Sequence, residues 1–222
     1  MSTQVLLVDT CRDVEFLTEN TSSGNRFFIE GPFLMTEAVN RNKRLYPKDI
    51  MEESVERYIK EYVDANRAIG ELNHPDYPLP AIEKAALLTK SMYWGDGNHA
   101  NDVIGKAQIL NNPDGDRIRA LMEAGFDMGV SSRALGGVTR AKDHVRVKRG
   151  VVLNAIDAVD LPSGQTCYVN ALLESSQWQL NESGVYTKVG VDNDRMVQTL
   201  SEAHTQVGRD IMMRLERLAE SV

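Results

Sequence analysis

Cysteine is scarce in this chain. Cys11 and Cys167 are the only two in 222 residues, and neither lies in a C-x-x-C pair. That excludes a disulfide-stapled scaffold and a thioredoxin-like redox centre, and it suggests a reducing compartment. Long apolar runs are missing too. The patch Val5-Leu6-Leu7-Val8 has no basic lead and no extended apolar core, so neither a signal peptide nor a membrane span is expected. There is no H-E-x-x-H pair, and Gly129 to Gly137 lacks the Lys-Ser/Thr ending of a phosphate loop. No metal or cofactor is expected on these grounds. Positive charge is in deficit: a net charge of -7 and a pI near 5.2 argue against nucleic-acid binding as the main task. The basic groups at Arg41, Lys43, Arg44 and Lys48, and again from Arg140 to Arg149, read as solvated faces and strand edges. Repeats and low-complexity tracts are absent. What remains, at 24.8 kDa with 42% hydrophobic and 26% charged residues, is the composition of one soluble domain with an appendage.

Residues 1–25 read as a loosely held lead ending in the loop Asn20 to Asn25. A strand over 26–38 is expected to break at Gly31-Pro32. Pro47 suits the first turn of a helix, and Ile50, Met51, Val55, Ile59, Tyr62 and Val63 continue it at helical spacing to residue 64. Residues 68–72 read as a short strand delivering His74 to a loop pinned by prolines 75, 78 and 80. Strands over 85–94 and 103–110 flank the hairpin loop Gly95-Asp96-Gly97-Asn98. A helix over 116–124 is closed by Gly125, and strands follow at 127–132, 144–148 and 151–159. This order predicts an α+β fold on a strongly bent sheet or barrel, with a main domain over 26–174. Residues 175–192 read as a polar linker. Val197, Leu200, His204, Val207, Ile211, Leu215 and Leu218 then mark an amphipathic helix over about 195–219.

Two segments carry chemistry. His74, in Gly70-Glu71-Leu72-Asn73-His74-Pro75, offers an imidazole whose orientation the prolines can fix. Ser131 and Ser132, in Gly129-Val130-Ser131-Ser132-Arg133-Ala134-Leu135-Gly136, offer hydroxyls among small residues, where nearby amides could hold an oxyanion. A hydroxyl becomes a nucleophile when a base takes its proton, and histidine is the usual base near neutral pH. Position 133 is Arg, so this is not a G-x-S-x-G elbow. Asp157, in the apolar run Ala155 to Val159, is a candidate to orient the imidazole; Glu71 and Asp76 compete for that role, and period-2 alternation could equally turn Asp157 to solvent. His99, His144 and His204 read as incidental.

Three segments, Val39 to Lys48, Gly70 to Pro75 and Gly129 to Arg133, resemble the prohead core proteases of T-even-type bacteriophages, in the same order between about Phe27 and Ser163. The resemblance implies a serine endopeptidase related in fold to herpesvirus maturational proteases, a β-barrel surrounded by helices, with Ser131 as nucleophile and His74 as base. The third position, a second histidine in the herpesvirus relatives, falls at Asp157 here, and His144 lies too early. The resemblance also implies cleavage after Glu, with an aliphatic residue two positions before it and a small residue after it. The implied substrates are prohead scaffold or core proteins and the major capsid protein, cut inside the assembling prohead in the host cytoplasm, with no nucleic-acid or membrane partner; a homo-oligomer is compatible with it.

Words of that kind occur in the chain itself. They end at Glu174 before Ser175, Glu202 before Ala203 and Glu220 before Ser221, and again at Glu123 inside the predicted second helix. Self-processing at Glu174 or Glu202, removing 175–222, is therefore expected. Arg133, or the cluster Arg41, Lys43 and Arg44, is the expected reader of the substrate carboxylate, since Arg suits bidentate recognition. The competing readings are a non-enzymatic capsid-core or tube-forming protein on a related fold, and a metal-dependent hydrolase at His74 and Asp76.

Overall fold

The computed structural model describes residues 4–11, 14–22, 24–40, 43–75, 77–160, 176–181 and 185–191. Within them the chain is mostly β-sheet with two α-helices. The strands are β1 (Gln4–Cys11), β2 (Glu15–Thr21), β3 (Gly24–Met35), β4 (Arg44–Leu45), β5 (Ile69–Glu71), β6 (Ala85–Trp94), β7 (Asp102–Ile109), β8 (Gly129–Gly136), β9 (Val138–Arg140), β10 (Val145–Val147), β11 (Val152–Val159), β12 (Ser176–Leu180) and β13 (Tyr186–Val191). The helices are α1 (Lys48–Tyr58), prolonged by one wider turn over Ile59–Val63, and α2 (Pro113–Glu123). None is long and apolar enough to cross a membrane.

Two five-stranded sheets, in the orders β11-β8-β1-β12-β13 and β2-β3-β7-β6-β5, share one apolar core; a small sheet β4-β10-β9 lies beside them. Leu7, Val130 and Ile156 from the first sheet join Ile29, Phe33, Leu87 and Ala107 from the second. The two sheets meet edge to edge where Leu72, just past β5, bridges in parallel to Ala158 of β11 and the Asn73 N–H donates to the Ala158 carbonyl at 2.8 Å. Gly70 permits this approach: a Cβ there would stand 1.8 Å from the Ile156 carbonyl oxygen.

The helices follow from their sequence. In α1, Met51, Ser54, Val55 and Tyr58 recur at helical spacing and are the buried face. Ser54 Oγ accepts a hydrogen bond from the Leu153 amide at 2.9 Å, fastening the helix to β11. Helix α2 starts earlier than its apolar pattern suggests because Pro113 occupies the first turn and the Asn112 side chain caps Gly115 N at 2.9 Å. Gly125, at φ +82°, closes it.

Four expectations need correction. The loosely held lead expected over 1–25 instead holds β1 and β2. Strand β1 lies between β8 and β12 at the centre of its sheet, and Leu6, Leu7 and Val8 are consecutive and buried because both faces are covered. Gly31-Pro32 does not end β3; both stay in register with β7, the bulge falls just after them between Pro32 and Leu34, and Pro32 lies past Glu30, the last residue of β3 that β2 pairs. Strand β8 runs through Arg133 to Gly136 instead of stopping at 132, because neighbouring carboxylates neutralise the arginine. The expected linker 175–192 holds β12 and β13, which extend the sheet from β1 with Trp178 buried against Leu6 and Leu135. The expected helix over 195–219 lies outside the described residues.

Candidate active site

Strand β8 is sandwiched between two antiparallel neighbours, and its register brings three positions into one row: Thr10 of β1, Ser131 of β8 and Asp157 of β11. Directly opposed residues on antiparallel strands share a face, so the three side chains point the same way. His74 reaches over that face from the loop after β5. Its Nε2 is 2.8 Å from Ser131 Oγ and its Nδ1 is 2.9 Å from Asp157 Oδ2. The backbone that delivers it is turned by Asn73 at φ 64°, a conformation asparagine tolerates better than most residues. Ser131 and Asp157 have no exposed surface.

Beneath the row lies a cation. Arg133 is two residues past Ser131, hence on the same face, and is fully buried. Its Nε is 2.9 Å from Asp157 Oδ2 and its Nη2 is 3.1 Å from Oδ1. Nη1 donates to the carbonyls of Tyr77 at 2.7 Å and Leu79 at 3.3 Å, and Nη2 is also 3.5 Å from Glu71 Oε1. Asp157 Oδ1 additionally accepts the Glu71 amide at 2.9 Å. Burial pushes the Asp157 carboxyl up, but Arg133, His74 and the Glu71 amide together outweigh it and hold the group below the usual carboxylate range. An ionised Asp157 accepts a hydrogen bond from Nδ1–H, which leaves the Nε2 lone pair facing the Ser131 hydroxyl. Glu71 goes the other way: burial raises it, against the pull of the Ala81 amide and Arg133. The same arginine therefore orients the acid and ties down the loop that carries the imidazole.

Ser131, His74 and Asp157 are thus together. Arg133 and Arg44 are not where a substrate reader must be. The Arg133 guanidinium is used up inside the protein, as above. Arg44 is buried as well, with Nη1 3.3 Å from both the Val8 carbonyl and the Tyr46 hydroxyl. Lys43 is exposed, and Arg41 lies outside the described residues, as do Asp76, Glu174 and Glu202. His99 pairs with Asp102 and His144 with Asp143, both away from the row. Ser132 turns to the opposite face, opposed by Asp9 and Ile156. The place of Arg133 beneath the row and the neighbour Thr10 both escaped the sequence reading. The i,i+2 spacing of Ser131 and Arg133 could have shown Arg133 under the site; Thr10 had no local signal, since only the strand order places it there.

A hydroxyl, an imidazole and a buried carboxylate in line, mounted on a β-sheet shell, define a hydrolase. The chain belongs to the prohead core protein serine protease family, whose pattern matches residues 12–177. Over 146 residues, 64% of this chain and 67% of the relative, it is 42% identical to the prohead core protein protease of Enterobacteria phage T4. The solved bacteriophage T4 capsid assembly protease superposes with a TM-score of 0.67 at 37% identity, covering 72% of this chain and 99% of that one. The chain is a viral maturation protease, and it shares the fold of the T4 enzyme.

Proposed function

We propose that the chain is a serine endopeptidase in which Ser131 attacks, His74 is the base and Asp157 orients and stabilises the imidazolium. The observation that carries this is the 2.8 Å contact between His74 Nε2 and Ser131 Oγ, backed by the 2.9 Å contact from Nδ1 to Asp157. In the reaction Ser131 Oγ bonds to the scissile carbonyl carbon as its proton passes to His74 Nε2. The carbonyl π electrons move onto oxygen. Collapse of this intermediate expels the amine, which takes the proton from His74; water then repeats the sequence on the acyl-enzyme. A non-enzymatic shell protein on this fold has no need for that contact.

The substrates in this reading are prohead scaffold or core proteins and the major capsid protein, cut within the assembling prohead in the host cytoplasm. Cleavage follows Glu in aliphatic-x-Glu before a small residue. The kinship with herpesvirus maturational proteases and the amphipathic C-terminal helix belong to the same proposal. So does self-processing at Glu174 or Glu202. A cut after Glu174 falls immediately before β12, so it would sever β12 and β13 from the chain that precedes them while β1 and Trp178 still hold them in place.

The test is one incubation series. Ser131→Ala and His74→Ala should each lower cleavage of a Leu-x-Glu peptide by roughly 10⁴-fold or more with the fold intact. Ser132→Ala should stay within about tenfold, as a side chain on the far face of the strand touches no reacting atom. Intact-mass spectrometry of the same samples should find termini at Glu174 or Glu202 in wild type and not in Ser131→Ala. Full activity in Ser131→Ala defeats the assignment.

A further inference from the structure

Hydrolysis through Ser131, the reading just given, puts negative charge on the substrate carbonyl oxygen, and something must meet it. The amides next to the nucleophile are the usual donors. Here they are occupied. Strand β8 pairs with β1 from Val130 to Gly136 and with β11 from Gly129 to Leu135. In a strand flanked on both sides, each N–H points at one neighbour or the other. The amides of Ser131 and Ser132 are therefore engaged within the sheet.

One hydroxyl stands beside the nucleophile. Thr10 Oγ1 is 3.3 Å from Ser131 Oγ and is placed to donate to it. That is longer than an ordinary O–H···O bond, so the hydroxyl is only weakly engaged in the resting site. Thr10 sits on the β1 side of Ser131, opposite Asp157 on the β11 side. It is half-buried, whereas Asp157 is sealed, so of the two neighbours Thr10 is the one nearer solvent. In the tetrahedral intermediate the oxyanion is two bonds from Oγ, within the swing of a hydroxyl already this close.

We infer that Thr10 is a catalytic residue: its Oγ1–H turns from Ser131 Oγ to the oxyanion as the C–Oγ bond forms, and turns back when the carbonyl reforms. No proton is transferred in this step. Threonine also suits the place sterically, because a β-branched side chain in a strand is held to few rotamers.

Thr10→Val keeps the shape and removes the donor. With the full chain and the Leu-x-Glu peptide, kcat should fall about 10²-fold, the size seen when one oxyanion donor is lost, and KM should move less than about twofold. Thr10→Ser should recover most of that loss. Thr10→Ala gives the same comparison if valine disturbs folding, and thermal unfolding reports the fold of each. A purely structural Thr10 would lower stability and leave kcat of the folded enzyme alone. Wild-type kcat in a folded Thr10→Val or Thr10→Ala overturns the inference. So does a serine variant as impaired as valine. Ser131→Ala run beside them separates the two ideas: if it is inactive while Thr10→Val is fully active, the role of Thr10 fails and the serine mechanism stands.

Discussion

Among the described residues, strands of the first five-stranded sheet bury Asp9, Ser131, Ser132, Arg133, Asn154 and Asp157, whereas those of the second bury Glu71 and Thr89 as their polar side chains. The second sheet otherwise contributes Ile29, Phe33, Leu87, Val103 and Ala107 to the shared core. Burying polar groups costs free energy unless each is paired, so the first sheet is stable only as a satisfied network. The second needs little beyond packing. Glu71 is the informative exception: it ends β5, the strand that touches β11, and its partner is Arg133. Of the two buried polar side chains of the second sheet, the ionisable one therefore lies where that sheet joins the first.

That contrast can be broken most severely at Arg133. Arg133→Met fills similar space but strands two buried carboxylates, Asp157 and Glu71. Loss of one partner from such a cluster costs about 3–5 kcal/mol. Denaturant unfolding should show that drop, and cleavage should fall with it because the His74 loop loses its anchor at Tyr77 and Leu79. A variant as stable as wild type would show the network to be dispensable.

A matched pair of glycines sharpens the comparison further. A Cβ on Gly70 would meet the Ile156 carbonyl oxygen at 1.8 Å, and one on Gly105 of β7 would meet the Phe33 ring at 2.1 Å. Overpacking of this kind costs about 1–3 kcal/mol. Gly70→Ala should lower both stability and kcat, since it pushes apart the strands that carry His74 and Asp157. Gly105→Ala should lower stability alone, with kcat per folded molecule unchanged. Equal kcat losses in the two would mean that the sheets are not functionally distinct.

The smallest expected effect is read in acid. The depressed carboxyl of Asp157 contributes stability that is fully present above the unfolded value of about 4 and is lost as pH falls through the lower folded value. Denaturation midpoints measured from pH 6 down to pH 2 should fall less steeply in Asp157→Asn than in wild type. Parallel curves would refute the depressed carboxyl.

Much of this was legible in the residues. Helix α1 and the wider turn that prolongs it announced themselves through Met51, Val55 and Tyr62 at helical spacing, and the β6–β7 hairpin through its Gly-Asp-Gly-Asn loop. His74 was named from its local setting, Ser131 together with Ser132, and Asp157 beside Glu71 and Asp76; the family resemblance chose between the serines. What could not be read was pairing between distant strands. Residues 4–11 look like a lead because a strand covered on both faces shows no alternation. Arg133 looked like a free cation because its partners are 24 and 62 residues away in sequence. Thr10 is invisible for the same reason: its meaning depends wholly on which strand lies beside β1.

The position of β1 also has a consequence in time. Its partner for the site, Ser131, follows Thr10 by 121 residues. At a synthesis rate of about 5–20 residues per second, Leu6, Leu7 and Val8 wait on the order of 10 s with no strand to cover them. Nor can Ser131 gain its β1 neighbour until β8 itself has emerged, and pairing over so long a stretch of chain is slow. The row of Thr10, Ser131 and Asp157 therefore exists only once β8 and β11 have both emerged and paired, so the site is a late product of the chain's own folding.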